Sequence, residues 1–147
     1  MTLQVRFQKL DERAVAPAYG SAAAAGADLY AVTDAPLTIG AGETVLVHTG
    51  LAVEIPEGFV GLVCARSGLA TKQGLAPANK VGVIDADYRG EVMVALYNHS
   101  GEARTIESGE RIAQLVLVPY LTAVYEQADS LTDTIRGEGG FGSTGSK

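Results

Sequence analysis

Asp85, Asp87 and Tyr88 put two carboxylates and a phenol within four residues, in the run Gly82-Val83-Ile84-Asp85-Ala86-Asp87-Tyr88-Arg89-Gly90-Glu91-Val92. A carboxylate can orient a water and take its proton, and an aromatic face can hold a flat partner. The flanking β-branched residues read as strands, so the segment is predicted to be a hairpin with chemistry at its tip. A solvated turn would need only Asn-Gly or Asp-Gly. The residues suit the floor of a pocket; an ornate surface turn is the competing reading. Asp85 and Asp87 lie two apart, so strand alternation puts them on one face and does not choose between them.

Other segments hold groups of the kind phosphate chemistry uses. Ala25-Gly26-Ala27-Asp28-Leu29-Tyr30-Ala31 carries Asp28 into a strand entry of small residues. Arg66-Ser67-Gly68 ends an apolar run at a predicted helix start, where amides, a hydroxyl and a guanidinium can converge on an anion. Gly109-Glu110-Arg111-Ile112-Ala113-Gln114 places Arg111 and Gln114 at the start of an apolar strand, where burial would oblige the Gln114 amide to find a partner. The last twelve residues, Arg136 to Lys147, contain five glycines together with Arg136, Phe141, Ser143 and Thr144. Such a tail is either idle disorder or an arm that orders over a ligand, with Phe141 to stack and Arg136 to fork a phosphate. The inventory as a whole fits a phosphorylated substrate assisted by a hard metal ion.

Several motif matches fail on context. The tail contains G-x-G-x-x-G from Gly137 and again from Gly140, but neither follows a strand and opens a helix. Gly140 and Gly145 have P-loop spacing, yet Ser146-Lys147 is in the wrong order. Cys64, His48 and His99 have no zinc-ligand spacing; Cys64 reads as a buried strand residue and both histidines as lying at strand ends. Ser67 sits in Arg-Ser-Gly, outside a G-x-S-x-G elbow, which weakens a Ser67–His99 hydrolase.

Short β-rich runs separated by Gly, Pro, Asn and Asp must position these groups. They are Leu3 to Phe7, Thr44 to Val47, Leu51 to Ile55, Phe59 to Ala65, Glu91 to Tyr97, Arg104 to Glu107 and Ile112 to Val118. His48-Thr49-Gly50 and Pro56-Glu57-Gly58 read as the turns between the second, third and fourth. The pattern predicts an all-β fold, a jelly roll, sandwich or barrel, with one short helix from Ser67, its N-cap, to Gln73 before Gly74. Ala22 to Ala25, bracketed by Gly20 and Gly26, reads as loop. The segments 60–65 and 112–118 are nearly continuous in apolar residues and ask for cover on both faces. A second sheet and another subunit would supply it; thick loops are the alternative. The expected division is a core of residues 1–126 and a C-terminal arm of 127–147.

Composition bounds the rest. The 147 residues are 47% hydrophobic and 19% charged, enough for one packed domain. A net charge of -6 argues against non-specific nucleic-acid binding but not against a small anion held by a few arginines. One cysteine excludes an internal disulfide. No signal-like or membrane-length apolar run is present, so a cytoplasmic protein without membrane or nucleic-acid partners is expected.

The segments AGADLYA, ARSGLA, GVIDADYRGEV, GERIAQLVL and RGEGGFGSTG, in this order from about Ala25 to Gly145, resemble the trimeric deoxyuridine triphosphatase (dUTP diphosphatase) family. The resemblance implies a jelly-roll homotrimer with active sites at subunit boundaries. The reaction it implies is Mg²⁺-assisted attack of water on the α-phosphorus of dUTP, giving dUMP and diphosphate. Such an activity limits uracil in DNA and supplies dUMP for thymidylate synthesis. It selects Asp85 as the general base and leaves Asp87 a turn residue. Asn79, Gly82, Val83, Ile84 and Tyr88 would hold base and deoxyribose, with Phe141 stacking on the uracil. Arg66, Ser67, Gly68, Gln114, Arg136, Gly142, Ser143 and Thr144 would hold phosphates, and Asp28 would reach the metal through water. Arg111 would orient Asp85 or the arm by an ion pair, or serve the fold alone. Asn79 is followed by Lys80 where a smaller residue is expected. Rival readings are a dCTP deaminase, which needs a pocket Glu and a different arm, an idle nucleotide-sensing trimer, and an interaction domain with a tether.

Overall fold

Alternating burial builds the protein from strands. In β9 (Glu91–Asn98) Val92, Val94, Leu96 and Asn98 are buried while the residues between them are only half-buried, the period-two pattern of a strand with one face in a core. The computed structural model describes residues 2–143 and 145. Its other strands are β1 (Arg6–Lys9), β2 (Ala18–Tyr19), β3 (Ala27–Tyr30), β4 (Leu37–Ile39), β5 (Thr44–Glu54), β6 (Phe59–Cys64), β7 (Leu75–Pro77), β8 (Gly82–Ile84), β10 (Arg104–Ile106) and β11 (Arg111–Pro119). They form a four-stranded sheet in the order β1-β5-β9-β7, a five-stranded sheet in the order β2-β3-β11-β6-β8, and the pair β10-β4.

Neighbouring strands pair antiparallel throughout. All three sheets feed one core. Leu29, Val63, Ile84, Ile112 and Leu115 come from the five-stranded sheet, Val47, Val53, Leu75, Val92, Val94 and Leu96 from the four-stranded one, and Ile39 and Ile106 from the pair. Each fully buried Leu or Ile contributes about 2 kcal/mol. Buried Asn98 is satisfied: its amide donates to Ile39 O (2.9 Å) and Glu102 O (2.7 Å), and its oxygen accepts from Ser100 N and Oγ. The protein is an all-β sandwich, and no helix among the described residues is long and apolar enough to cross a membrane.

Four local expectations are corrected. His48-Thr49-Gly50 does not separate two strands; it is a bulge inside the single strand β5, which slips register against β9 between His48 and Ala52. Gly50 there has φ +67°, which a turn and a bulge both request. The β8–β9 segment is not a two-stranded hairpin, because β8 pairs with β6 while β9 pairs with β5 and β7. The chain instead crosses between sheets over residues 85–90. The first strand begins at Arg6 rather than Leu3, set by its ladder to Leu51–Glu54. The short helix is a wide turn over Leu69–Gln73 closed by Gly74 in the left-handed region, as expected. Ser67 does not cap it, however: Gly68 occupies the cap, with no side-chain cap bond.

Two surfaces remain open. Leu62 pairs with Val116 and Val83, and Val60 with Val118, on the face of the five-stranded sheet opposite the core. These residues are only half-buried, and Val83 is exposed. Beyond β11, Leu121, Val124 and Tyr125 are each at least 95% exposed, so an apolar segment leaves the fold uncovered.

Candidate active site

The ladder places Asp28 of β3 and Cys64 of β6 on either side of Gln114 of β11. Around that rung the phosphate candidates assemble. Asp28 Oδ1 accepts from Arg66 Nε at 2.8 Å, and Oδ2 faces Arg111 Nη1 at 3.5 Å. Asp28 is 13% exposed and Arg66 28%, so the inner pair is partly shielded from water. Gln114 meets its obligation by donating to Ala65 O at 2.9 Å. Arg111 spends its ion pair on Asp28, and no bond joins it to Asp85 among the described residues. Ser67 and Gly68 follow on the exposed start of the helical turn. Thr71 Oγ1 donates to Ser67 O (2.6 Å) and Arg104 Nε to Gln73 O (2.9 Å), fixing both ends of that turn. The fold does not need a glycine at 68, since a Cβ there would meet nothing within 4 Å and its φ is -64°.

The base and sugar candidates form a second group. Asn79, Gly82, Val83, Ile84, Asp85 and Tyr88 line a pocket of about 300 Å³, with Pro77 and β9 opposite. β8 is the outer strand of its sheet and β7 the outer strand of the other. Each therefore offers a row of backbone donors and acceptors not taken by a ladder. A heteroaromatic edge can be read by such fixed groups. Asp85 is exposed at the pocket's rim; Tyr88 N donates to Asp85 O (3.1 Å), closing the turn. Asp87 lines only the wide neighbouring groove with Glu54 and Glu57, whereas Asp85 lines both spaces. Tyr88 folds back over Gly90 and donates its hydroxyl to Glu91 O at 2.8 Å. A Cβ at Gly90 would lie 2.5 Å from that hydroxyl, so the ring's position depends on the glycine. Arg89 Nη1 donates to Ala86 O (2.6 Å) and Tyr88 O (3.1 Å) while Nη2 faces Glu54 at 3.6 Å.

The arm is a third, separate group. Arg136 Nε donates to Gly139 O (2.7 Å), and Ser143 N to Gly140 O (3.0 Å). Phe141 is fully exposed at φ +51°, next to Gly142 at φ +86°. Among the described residues the arm's hydrogen bonds stay within the arm. Thr144 lies outside the described residues.

Among the described residues no hydrogen bond or ion pair joins the three groups. Ile84 pairs with Gly61, so Asp85 stands near the Val60 end of β6, while Arg66 lies beyond its other end. Six residues of extended chain separate those ends by roughly 20 Å. Sequence reasoning missed Gly26, Gly90, Arg89 and Glu91. At Gly26 a Cβ would collide with the Gln114 side-chain oxygen, so this glycine makes room for that amide. Among the described residues no three His, Cys, Asp or Glu side chains form a metal-holding group.

The β-sandwich thus carries an acid at the mouth of an edge-strand pocket and, beyond the far end of β6, two arginines on one carboxylate, groups chemically suited to a heteroaromatic ring and to an anion. The model of the dUTPase family matches residues 12–145, and the chain belongs to that family. It is 47% identical to the deoxyuridine 5'-triphosphate nucleotidohydrolase of Rickettsia felis, over 97% of each chain. It is 49% identical to that of Desulfitobacterium hafniense, over 97% of this chain and 95% of the relative. Among solved structures, the dUTPase of Staphylococcus bacteriophage 80alpha with dUpNHpp superposes with a TM-score of 0.89 at 30% identity, covering 98% of this chain and 99% of that one. A mutant dUTPase of phage phi11 of S. aureus, described as coordinating a structural Mg(II) ion, gives 0.78 at 27%, covering 87% and 98%.

Proposed function

We propose that the protein hydrolyses dUTP to dUMP and diphosphate, as a cytoplasmic homotrimer whose active sites each draw on more than one copy. The observation that carries the reading is Asp85 at the rim of a pocket walled by the unladdered edge of β8. Family membership supplies the substrate class, through the names borne by its relatives.

Backbone groups along Gly82, Val83 and Ile84, with Asn79 at the lip, hydrogen-bond the uracil edge. Cytosine offers the opposite donor and acceptor there and leaves groups unpaired. Tyr88 packs under the deoxyribose and meets a 2′-hydroxyl by contact. Asp85 orients a water and takes its proton as the water oxygen bonds to the α-phosphorus. The bond from that phosphorus to the bridging oxygen breaks, and diphosphate leaves with the electron pair. Arg66, Ser67, Gly68 and Gln114 of a neighbouring copy bind the phosphates. Residues 1–126 act as the core and 127–147 as an arm that brings Phe141 over the base and Arg136, Gly142, Ser143 and Thr144 to the phosphates. The roughly 20 Å between Asp85 and Arg66 within one chain, the open outer face at Leu62 and Val116, and the uncovered segment at Leu121 all support assembly from several copies.

The donor set fits a magnesium ion carried by the substrate. With no three-carboxylate or imidazole cluster among the described residues to cage it, Mg²⁺ would keep most of its water and be held through the triphosphate, whose charge it would neutralise. Asp28, both oxygens facing guanidinium groups, retains lone pairs for a metal-bound water.

The test is product analysis with each deoxynucleoside triphosphate and UTP in the presence of Mg²⁺. Diphosphate and dUMP from dUTP alone is the expected result. Ammonia from dCTP would instead assign the protein to nucleotide deamination, and binding without turnover would leave a sensing trimer.

A further inference from the structure

The His48-Thr49-Gly50 bulge in β5 meets the start of β9, three residues beyond Tyr88. A bulge leaves one strand's backbone groups without ladder partners. Here Glu91, the first residue of β9, takes up the slack: Oε1 accepts from Gly50 N at 2.8 Å and Oε2 meets His48 Nδ1 at 2.9 Å. Between them, buried Thr49 donates its hydroxyl to Val92 O at 2.5 Å. All three bulge residues therefore grip the Glu91–Val92 pair. The backbone carbonyl of that same Glu91 accepts the Tyr88 hydroxyl. Glu91 also lines the base pocket on one side and the cavity beside His48 and Arg13 on the other.

We infer that Glu91, held by the His48-Thr49-Gly50 bulge, is a positioning residue that fixes the Tyr88 ring and so sets discrimination between deoxyribose and ribose. This rests on the proposed dUTP hydrolysis and adds to it the source of the ring's rigidity. Tyr88 is 41% exposed and lies on a turn, so packing alone does not hold it. Its hydroxyl bond fixes the ring only as well as the acceptor is fixed. The carboxylate, 20% exposed with both oxygens engaged, supplies that fixity. A ring free to swing would admit a 2′-hydroxyl.

The test uses the full-length protein and compares kcat/KM for dUTP and UTP, with Tm as a control. Glu91→Ala is expected to lower the dUTP-to-UTP ratio about tenfold, in the range lost with one charge-assisted contact. Glu91→Gln, whose amide can still accept from Gly50 N–H and donate to the His48 ring, should restore the ratio to within about threefold. Tyr88→Phe, which removes the hydroxyl, should shift the ratio in the same direction. Combined with Glu91→Ala it should add little further, because both break one linkage. A Glu91→Ala protein with lower Tm but an unchanged ratio would overturn the inference and leave Glu91 a structural clasp. Should Glu91→Ala not fold, His48→Ala decides by the same readout, since that side chain is 59% exposed. A reduced ratio supports the inference and an unchanged one overturns it. Failure of the unmodified protein to hydrolyse dUTP would refute the proposed function instead.

Discussion

The cluster around Asp28 and the C-terminal arm each present an arginine proposed to bind phosphate, yet they are built in opposite ways. Arg66 is fixed before any ligand arrives, by Asp28 at 2.8 Å on a rung that three strands share. Among the described residues the Arg136 side chain bonds only to a carbonyl three residues along its own turn, and Phe141, further along the arm, is wholly exposed. The first arrangement places its ordering cost in the folding of the sheet; the second defers that cost to the moment of binding. A preorganised group can aim charge at a developing transition state, whereas a loose arm can close, exclude water and open again.

Removing residues 127–147 should separate the two regions most sharply. We expect about 10²-fold or greater loss of kcat/KM, with Tm moved by less than about 2 °C, read by diphosphate release and calorimetry. A large fall in Tm would show that the arm carries the fold after all. Asp28→Ala should damage both quantities together. It leaves the Arg66 and Arg111 guanidinium groups without their shared carboxylate, at a cost of about 1–2 kcal/mol in stability, because both are partly hydrated, alongside the loss of activity. Gly26→Ala should act on the same rung through sterics, because its Cβ meets the Gln114 side chain. About 1–3 kcal/mol of overpacking is expected by denaturant melting. Gly68→Ala inverts that outcome: open space around the residue predicts stability unchanged within about 0.5 kcal/mol, with a weaker KM for dUTP if phosphates approach there.

The smallest effect lies outside both regions. Hydrogen bonds from Arg13 hold the Asp11 carboxyl down from 3.8 to about 2. A depressed carboxylate pKa gives stability that is present above about pH 4 and lost as pH falls toward 2. Asp11→Asn should therefore lower Tm slightly at pH 7, with the difference from the parent closing between those values. The pair is exposed, so the effect stays small and weakens with salt.

Much of this was legible in the sequence because it is local. β6 and β11 show as nearly continuous apolar runs, β9 and β10 as β-rich runs between turn residues, and the end of the short helical turn shows in Gly74. Asp28, Arg66, Gln114 and Asp85 stand out as polar groups in apolar or small-residue runs. What escaped depends on partners distant in sequence. A Gly at positive φ serves a turn or a bulge equally, so His48-Thr49-Gly50 read as a strand break when Glu91, forty-one residues on, bridges it. Nothing within 82–97 states that its two strands belong to different sheets. Gly26 and Gly90 look like ordinary loop glycines until Gln114 and Tyr88 are seen lying where their Cβ atoms would be. Arg89 reads as a surface charge until its carbonyl partners are known.

The central claim is that Asp85, the Arg66 cluster and the arm of one active site come from different copies of the chain. It is tested by subunit mixing. Asp85→Asn should lower kcat by about 10²–10⁴-fold, and the arm-deleted protein should be nearly inactive for its own reason. Unfolded together and refolded as a mixture, they should regain dUTP hydrolysis well above the sum of the two alone, as an intact Asp85 on one copy meets an intact arm on another. No recovery, from mixed assemblies verified by mass, would mean that each chain completes its own site and would contradict the account.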